Sequence, residues 1–243
     1  MSIKLHLDRL TVLFAILATA ALTGCQAIVS APPEAQVRII HATPGTPGLD
    51  VYQGSNAMAF NLGFGSVTSY IPVTPGAYTI NADAAGSKQV LSSVKGIFAP
   101  STQYTILLGN TVSSLQQLTL TDQSQSTPNG QVALRFLNQA TRTSAVDLYL
   151  VPAGQRFTTV TPLVTDMAFG ANTGYLNVPA GTYSLTMLPA GTVPFSTTIP
   201  PYIGTQATYS PGAARTLILI DRPPISTPGV QVITAEDFDP PGT

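Results

Sequence analysis

The stretch that decides the fold runs from Val37 to Tyr52 and reads VRIIHATPGTPGLDVY. The chain repeats it from Leu134 to Tyr149, as LRFLNQATRTSAVDLY, at a constant offset of 97 residues with no gap. Three polar positions are identical in the two copies: Arg38 and Arg135, Asp50 and Asp147, and Tyr52 and Tyr149. At a fourth position His41 is replaced by Asn138, which can also form hydrogen bonds. The apolar positions between them exchange one apolar residue for another. Repetition of this kind predicts two copies of one module.

Within each copy the apolar residues alternate with a period of two. Val37 and Ile39 fall on one face of a strand, and Arg38 and Ile40 fall on the other. The segment Thr43–Gly48 then contains two Pro-Gly steps, which no helix could cross. Short strands separated by Gly, Pro and Asn predict an all-β sandwich or barrel.

The second copy is longer than the first. The predicted strands are Leu49–Tyr52, Tyr70–Val73, Tyr78–Ala82, Gln89–Val94, Tyr104–Leu108 and Ser114–Thr121, and then Val132–Leu137, Ala145–Val151, Gly174–Asn177, Tyr183–Leu188, Ala207–Tyr209, Thr216–Asp221 and Val230–Thr234. Tyr104–Leu108 reappears at an offset of 111 rather than 97 residues. We place the extra residues around Thr158–Asn172 and around Leu188–Pro211, where loops are expected to carry any difference in function.

These patterns predict two tandem β-sandwich modules of immunoglobulin-like or Greek-key type. Module 1 covers residues 37–121, a polar linker covers 122–130, module 2 covers 131–237, and a tail covers 238–243. The acidic segment Glu236-Asp237-Phe238-Asp239 lacks the alternating oxygen ligands and turn glycine of a calcium loop. We therefore expect this segment to be solvated.

The first 24 residues have the form of a signal peptide. Lys4 and Arg9 precede an apolar stretch, Leu10–Leu22, that is too short to span a bilayer. The sequence Leu22-Thr23-Gly24-Cys25 resembles a bacterial lipobox, in which Cys25 is acylated and becomes the mature N-terminus. Residues 25–36 then form a short tether. Gln26, which is not an Asp, favours the outer membrane if the cell has one.

The first repeat also carries a resemblance to a known family. The His-Ala-Thr-Pro step, the Pro/Gly turn and the Asp-Val-Tyr strand within Val37–Tyr52 resemble a bacterial envelope family catalogued as domain of unknown function 4397. The turn Val73–Tyr78 and the strand Tyr104–Leu108 extend the resemblance, and Val178–Tyr183 repeats the turn in module 2. The resemblance implies a secreted or lipid-anchored β domain, often in tandem, and it assigns no catalytic residue.

Composition narrows the classes of function. Charged residues make up 9% of the chain, against roughly 25% in ordinary soluble domains, and the formal net charge is −1. This balance gives no electrostatic reason to bind nucleic acid. His41 is the only histidine after the signal peptide and Cys25 is the only cysteine, which is too few ligands for a zinc site. We expect no metal and no cofactor.

Two residue classes remain as candidates for function. Asp50 and Asp147 are expected to accept backbone N–H groups from the preceding turn, or else to take part in binding, as are the other repeated positions. The alternative is an envelope hydrolase of glycosidase type that uses Asp50 or Asp147, which would need a second carboxylate roughly 5–10 Å away. Tyr202 and Tyr209 lie in the enlarged loop of module 2 and are the best candidates for exposed aromatic residues that bind a ligand.

The sequence as a whole favours a non-catalytic envelope lipoprotein that is held on the membrane by its lipid anchor. It would act as a surface binding, adhesion or assembly module, with an envelope protein or a glycan as its partner. A purely structural subunit would instead show a large exposed apolar patch or an unprotected edge strand.

Overall fold

The computed structural model describes residues 33–222 and 229–241. The predicted signal peptide, the lipidation site Cys25 and most of the tether lie outside these residues. Within the described part of the chain, no helix is long and apolar enough to cross a membrane.

The described residues are almost entirely strand and turn, which confirms the prediction of an all-β fold. The strands are β1 (Ala35–His41), β2 (Leu49–Gln53), β3 (Asn56–Leu62), β4 (Ile71–Val73), β5 (Gly76–Ala84), β6 (Val90–Phe98), β7 (Gln103–Gly109), β8 (Gln116–Thr121), β9 (Gln131–Asn138), β10 (Val146–Pro152), β11 (Val164–Met167), β12 (Asn172–Pro179), β13 (Gly181–Pro189), β14 (Tyr202–Ile203), β15 (Ala207–Tyr209), β16 (Ala214–Asp221) and β17 (Val230–Phe238). Two 3₁₀ turns, Val112–Ser114 and Phe157–Thr159, interrupt the loops.

Module 1 is a sandwich of two four-stranded sheets. The inner sheet has the order β4-β1-β7-β8 and the outer sheet has the order β3-β2-β5-β6. Strands β1 and β7 are parallel and the other pairs are antiparallel. After β4 has paired with β1, the chain passes through β5 and β6 of the outer sheet before β7 joins β1, and a parallel pair needs a long connection of this kind. The core between the sheets takes alternate residues of each strand, including Val37, Ile39, Val51 and Ile106.

Module 2 repeats this plan with one change. Its inner sheet has the order β12-β9-β16-β17, again with one parallel pair, β9 and β16. Its outer sheet has the order β11-β10-β13, and the last position is shared by two short strands, β14 and β15, which both pair with β13. The insertion predicted in this region therefore divides the strand that corresponds to β6.

The two inner sheets pack against each other. Between them lies an intermodule core of buried apolar side chains from both repeats: Ile40, Ala42, Leu107 and Leu120 of module 1 with Leu137, Ile218, Ile220 and Ala235 of module 2. The chain from Pro33 to Thr243 accordingly forms one compact unit.

The expectation of a solvated segment beginning at Glu236 is wrong. Strand β17 continues to Phe238 and the Asp237 side chain is buried. Asp122, the first residue of the predicted linker, is buried as well. Both carboxylates are covered because each lies against the other repeat, which neither local sequence reveals.

Three strands were not predicted. They are β3, β11 and β14, and none of their sequences shows a clear alternation of apolar and polar residues. Each is held by pairing with a strongly apolar neighbour, β2, β10 or β13. Cross-strand packing, rather than intrinsic propensity, forms these strands.

Candidate functional site

The repeated arginines lie between the two modules. Arg38 on β1 extends from the inner sheet of module 1 and forms a buried ion pair with Asp237 of module 2. Its Nη1 donates to the Glu236 carbonyl oxygen at 2.7 Å, and its Nε donates to the Thr105 hydroxyl at 2.8 Å. The same Thr105 hydroxyl donates to Asp122 at 2.6 Å. Arg38 of module 1 is thereby joined to Asp237 of module 2 directly and to Asp122 of module 1 through the Thr105 hydroxyl.

The second arginine makes the mirror set of contacts. Arg135 on β9 pairs with Asp122 of module 1 at 2.5 Å and donates to the Thr121 carbonyl oxygen at 3.1 Å. Its Nε donates to Thr216 at 2.9 Å, and the Thr216 hydroxyl donates to Asp237 at 2.7 Å. Each module thus supplies an arginine to the other module and receives one in return. We call these residues the intermodule network.

Aromatic side chains close the intermodule network on both sides. The Tyr70 hydroxyl donates to Asp122 and the Tyr175 hydroxyl donates to Asp237, each at 2.8 Å. Their rings lie under the guanidinium groups of Arg38 and Arg135 at 4.9 and 4.6 Å, within the range of a cation–π contact. Burial raises the pKa of both tyrosines and the neighbouring carboxylates add to it, so both phenols stay protonated.

Electrostatics keep Arg38 charged in this buried position. Burial acts to lower the pKa of Arg38, but the nearby carboxylates of Asp237 and Asp122 more than offset it and raise the pKa. The carboxylates, hydroxyls and arginines satisfy one another, as buried charges require. The network is therefore a fixed connection that holds the two modules in one arrangement.

The repeated aspartates bind backbone groups. Asp50 on β2 accepts the N–H of Asn61 at 2.7 Å and the N–H of Gly86 at 3.1 Å. Asp147 on β10 accepts the N–H of Asp166 at 2.8 Å and that of Gly191 at 2.9 Å. Both carboxylate oxygens are thus engaged in each case, at the same two places in each module. In each module one donor lies in the neighbouring edge strand, β3 or β11, and the other is the glycine of a distant turn, so the preceding turn favoured by the sequence supplies neither.

A second carboxylate lies near one of the two aspartates. Asp83 on β5 is directly opposite Asp50 in the strand register, and burial, followed by the charge of Asp50, raises the pKa of Asp83. One oxygen of Asp83 is buried and has no hydrogen-bond partner among the described residues. In module 2 the position opposite Asp147 is Leu188. The carboxylate pair is therefore a property of module 1 alone.

His41 and Asn138 perform the same structural task. The Nδ1 of His41 donates to the Leu62 carbonyl oxygen at 2.9 Å, and the amide of Asn138 donates to the Met167 carbonyl oxygen at 2.9 Å. Leu62 and Met167 are the last residues of β3 and β11. Burial lowers the pKa of His41, so the imidazole is neutral in the folded protein. Both side chains connect the inner sheet to the end of an outer strand.

The repeated tyrosines face away from the cores on the outer sheets. Tyr52 is half-buried and meets Phe60 edge-on, with the ring centroids 6.1 Å apart. Tyr149 is buried because the first insertion of module 2 folds over it, with Phe157 and Val160 packed against it. The insertion thus covers an outer face that is open in module 1.

The expectation that Tyr202 and Tyr209 are exposed is wrong. Tyr209 on β15 is buried in the core of module 2, where its ring lies 6.4 Å from that of Tyr183. Tyr202 on β14 is half-buried and packs against the same core. Both belong to strands that pair with β13, and this pairing turns their rings inward.

The two insertions of module 2 meet in a cleft. The cleft has a volume of about 360 Å³ and lies on the outer sheet. Its floor is formed by Val151, Ser184 and Thr186, and its walls by Gln155–Thr158 on one side and by Ser196 and Ile203 on the other. We call it the insertion cleft. The second wall lies within the predicted insertion Leu188–Pro211, whereas the first wall overlaps the predicted insertion Thr158–Asn172 only at Thr158, because the lengthened loop joins β10 to β11 and ends before Val164.

The chemistry of the insertion cleft is simple. Arg156 is its only charged side chain; the residue is exposed, and its guanidinium makes no hydrogen bond or ion pair with another described residue, whereas its carbonyl oxygen accepts the N–H and hydroxyl of Thr159. The hydroxyl and amide groups around it alternate with the apolar surfaces of Phe157, Val151 and Ile203. No group of three or more metal-ligating side chains occurs among the residues that the structure describes.

Comparison with known proteins identifies part of the chain. Residues 35–149 match the family described as "Domain of unknown function (DUF4397)", which confirms the resemblance found in the sequence. No curated protein matches the chain.

Similar solved structures are carbohydrate-binding modules. One is a family 41 module from streptococcal virulence factors that recognises alpha-glucan; it is 10% identical, with 69% of this chain and 87% of that chain covered and a TM-score of 0.25. Another is the family 26 module of Eubacterium rectale Amy13K in complex with maltoheptaose; it is 9% identical, with 86% and 98% covered and a TM-score of 0.25. At these scores the likeness carries no argument about what this chain binds.

Proposed function

We propose that the protein is a non-catalytic binding module of the bacterial cell envelope, anchored through a lipid on Cys25, and that it binds a glycan in the insertion cleft of module 2. The observation that carries the proposal is the assembly of this cleft from the two segments that module 2 has and module 1 lacks. The intermodule network supplies a fixed support, and binding residues commonly lie on loops held by a rigid scaffold.

The lining of the cleft favours a sugar. A saccharide offers hydroxyl groups around the rim of each ring and C–H groups on its faces. Ser184, Thr186, Ser196 and Gln155–Thr158 supply hydroxyl and amide groups, and the Phe157 ring offers an apolar surface. The absence of a carboxylate from this lining and the free charge of Arg156 favour neutral or acidic saccharides over basic ones.

The test is binding of the chain from Pro33 to Thr243 to an array of bacterial envelope glycans, followed by titration calorimetry on the ligand that is found. We expect Arg156→Ala to weaken binding at least tenfold, because the exposed guanidinium is the one charge in the cleft. Phe60→Ala, on the outer face of module 1, is the matched control and should bind like the wild type. Equal binding by wild type and Arg156→Ala would refute this location of the site.

The hydrolase alternative now depends on Asp50 and Asp83. Two carboxylates with different environments are what glycosidases require, and their register places them on adjacent strands. However, both oxygens of Asp50 already accept backbone N–H groups. Incubation of the protein with any bound glycan tests the alternative: release of shorter products that is lost in Asp83→Asn would establish hydrolysis.

A further inference from the structure

Strand β6 is an open edge. It is the last strand of the outer sheet in module 1, and on one side it pairs with β5 over nearly its whole length, from Val90 to Phe98. On its other side, no described element pairs with it. Every second N–H and C=O group along this edge is therefore directed away from the protein, which makes the edge a template for another strand.

The second repeat shows what a protected edge looks like in the same fold. The strand that corresponds to β6 is divided into β14 and β15, of two and three residues. Pro200 and Pro201 precede the first of them, and the Gly204 N–H between them is bonded to the Leu185 carbonyl oxygen. Short strands and prolines prevent edge pairing, as do charged side chains and bulges. At this position module 1 has no proline and a strand of nine residues, with one lysine, Lys95, and one bulge, at Leu91.

The other edges of module 1 are less suitable for pairing. Strand β4 has three residues, one of which is Pro72. Strand β3 loses register twice against β2, at bulges that distort its free side. The inner edge strand β8 is shorter than β6, with six residues against nine. Among the described edge strands of this module, β6 is the longest, and its pairing with β5 is regular from Ser92 to Phe98, with one bulge at Leu91.

Three apolar side chains of β6 are exposed to solvent. Ile97 is 76% exposed, Val90 52% and Val94 38%. Beside the strand lies a groove of about 380 Å³, lined by Ser92 and Val94 of β6 and by residues 115–118 before and within β8. A strand added to β6 would direct alternate side chains into this groove and cover these apolar groups.

We propose that β6 pairs with β6 of a second copy of this chain, in an antiparallel arrangement whose two-fold axis passes through Val94. The outer sheets of the two copies then form one continuous eight-stranded sheet. The interface is isologous, as in most homodimers.

The charge pattern of β6 favours this register. Lys95 is the only charged residue of the strand. With the axis at Val94, Lys95 of each copy lies opposite Ser93 of the other, within the regular part of the strand from Ser92 to Phe98. With the axis at Lys95 the two ammonium groups would face each other, which is unfavourable. This proposal does not rest on glycan binding, because the insertion cleft belongs to module 2.

The sequence offers a direct test by cross-linking. Cys25 is the only cysteine, so the chain from Pro33 to Thr243 has none. In Val94→Cys the two introduced thiols would lie opposite each other at the axis, at a separation that a disulfide can bridge. Mild oxidation should convert most of the protein to a covalent dimer. Phe60→Cys is the control: Phe60 is 68% exposed and lies on the opposite edge of the same sheet, so this variant should form little covalent dimer.

The oligomeric state of the protein without cross-linking is an independent test. Light scattering on the wild-type fragment should give the mass of a dimer. Val94→Lys should give a monomer, because it places two lysines opposite each other at the axis. Ile199→Lys, at the 90% exposed Ile199 of module 2, should remain a dimer. A wild-type monomer at about 100 µM, or equal cross-linking of both cysteine variants, would overturn the proposal; capture of a strand from a different protein would overturn it as well.

Discussion

Replacement of Arg38 by methionine should destabilise the whole folded unit. The change removes a buried ion pair with Asp237 and two further hydrogen bonds, to the Thr105 hydroxyl and to the Glu236 carbonyl oxygen, which loses its donor. Breaking a buried ion pair from one side costs about 3–5 kcal/mol. Asp237 retains its bonds from Thr216 and Tyr175, so we expect the lower end, about 3 kcal/mol.

Urea unfolding measures this loss. The chain has no tryptophan, so the transition is followed by far-ultraviolet circular dichroism. For a chain of this size the urea dependence is about 3 kcal/mol per molar, so the midpoint should fall by roughly 1 M. Arg215→Met is the matched control: its partner Asp239 is 46% exposed, and an exposed pair contributes about 1 kcal/mol or less.

The two arginines should also be coupled. Asp122 lies 2.5 Å from Arg135 and 3.7 Å from Arg38, so the two pairs share a carboxylate. Arg38→Met combined with Arg135→Met should therefore depart from additivity by about 0.5–3 kcal/mol. A cost below about 1 kcal/mol for Arg38→Met, equal to that of the Arg215 control, would refute the argument that the network stabilises the unit.

Three further changes have defined outcomes. In the folded protein the pKa of His41 lies below its ordinary value of 6.5. Between the folded and the ordinary pKa the unfolded chain binds more protons than the folded one, so the free energy of unfolding should decrease as the pH falls below about 6.5. His41→Asn, which copies Asn138, should lose this dependence, and an unchanged pH profile in the variant would contradict the argument. Asp50→Asn and Asp147→Asn should each cost about 1–3 kcal/mol in urea unfolding, because an NH₂ group replaces one of the two carboxylate oxygens and cannot accept a backbone N–H. Asp166→Asn, which alters an exposed side chain and keeps the backbone N–H, is the control, and equal losses in all three variants would contradict this argument. Cys25→Ala should abolish incorporation of labelled palmitate and release the protein from the membrane fraction; retention on the membrane would argue against a lipid anchor.

The sequence predicted the strands and the repeated positions because both depend on local pattern. Alternation placed Arg38 and Ile40 on one face of a strand, and this is the face that meets module 2. The partners of the arginines could not be predicted in the same way. Asp122 and Asp237 lie in polar segments and are separated by 115 residues, which matches neither repeat offset. Their burial is created by the opposite module, and no local window of sequence contains that information.

The same limit explains the error at the tyrosines. Tyr202 and Tyr209 were interpreted as loop residues because prolines and glycines surround them. In the structure they lie on β14 and β15, and pairing with β13 turns both rings toward the core. The insertion cleft was hidden for a related reason, since its two walls come from segments about 40 residues apart.

The differences between the repeats separate two roles. The inner sheets carry the same network residues in both modules and their facing surfaces cover each other, whereas the outer sheets lie away from this contact. There module 1 has the open edge of β6, and module 2 has a divided edge and the insertion cleft. We therefore expect the two surfaces to act independently. Val94→Lys should abolish the dimer and leave the glycan affinity of each chain unchanged, whereas Arg156→Ala should weaken glycan binding and leave the dimer intact. Loss of both properties in either variant would mean that the two surfaces are coupled, and the division of roles between the repeats would then be wrong.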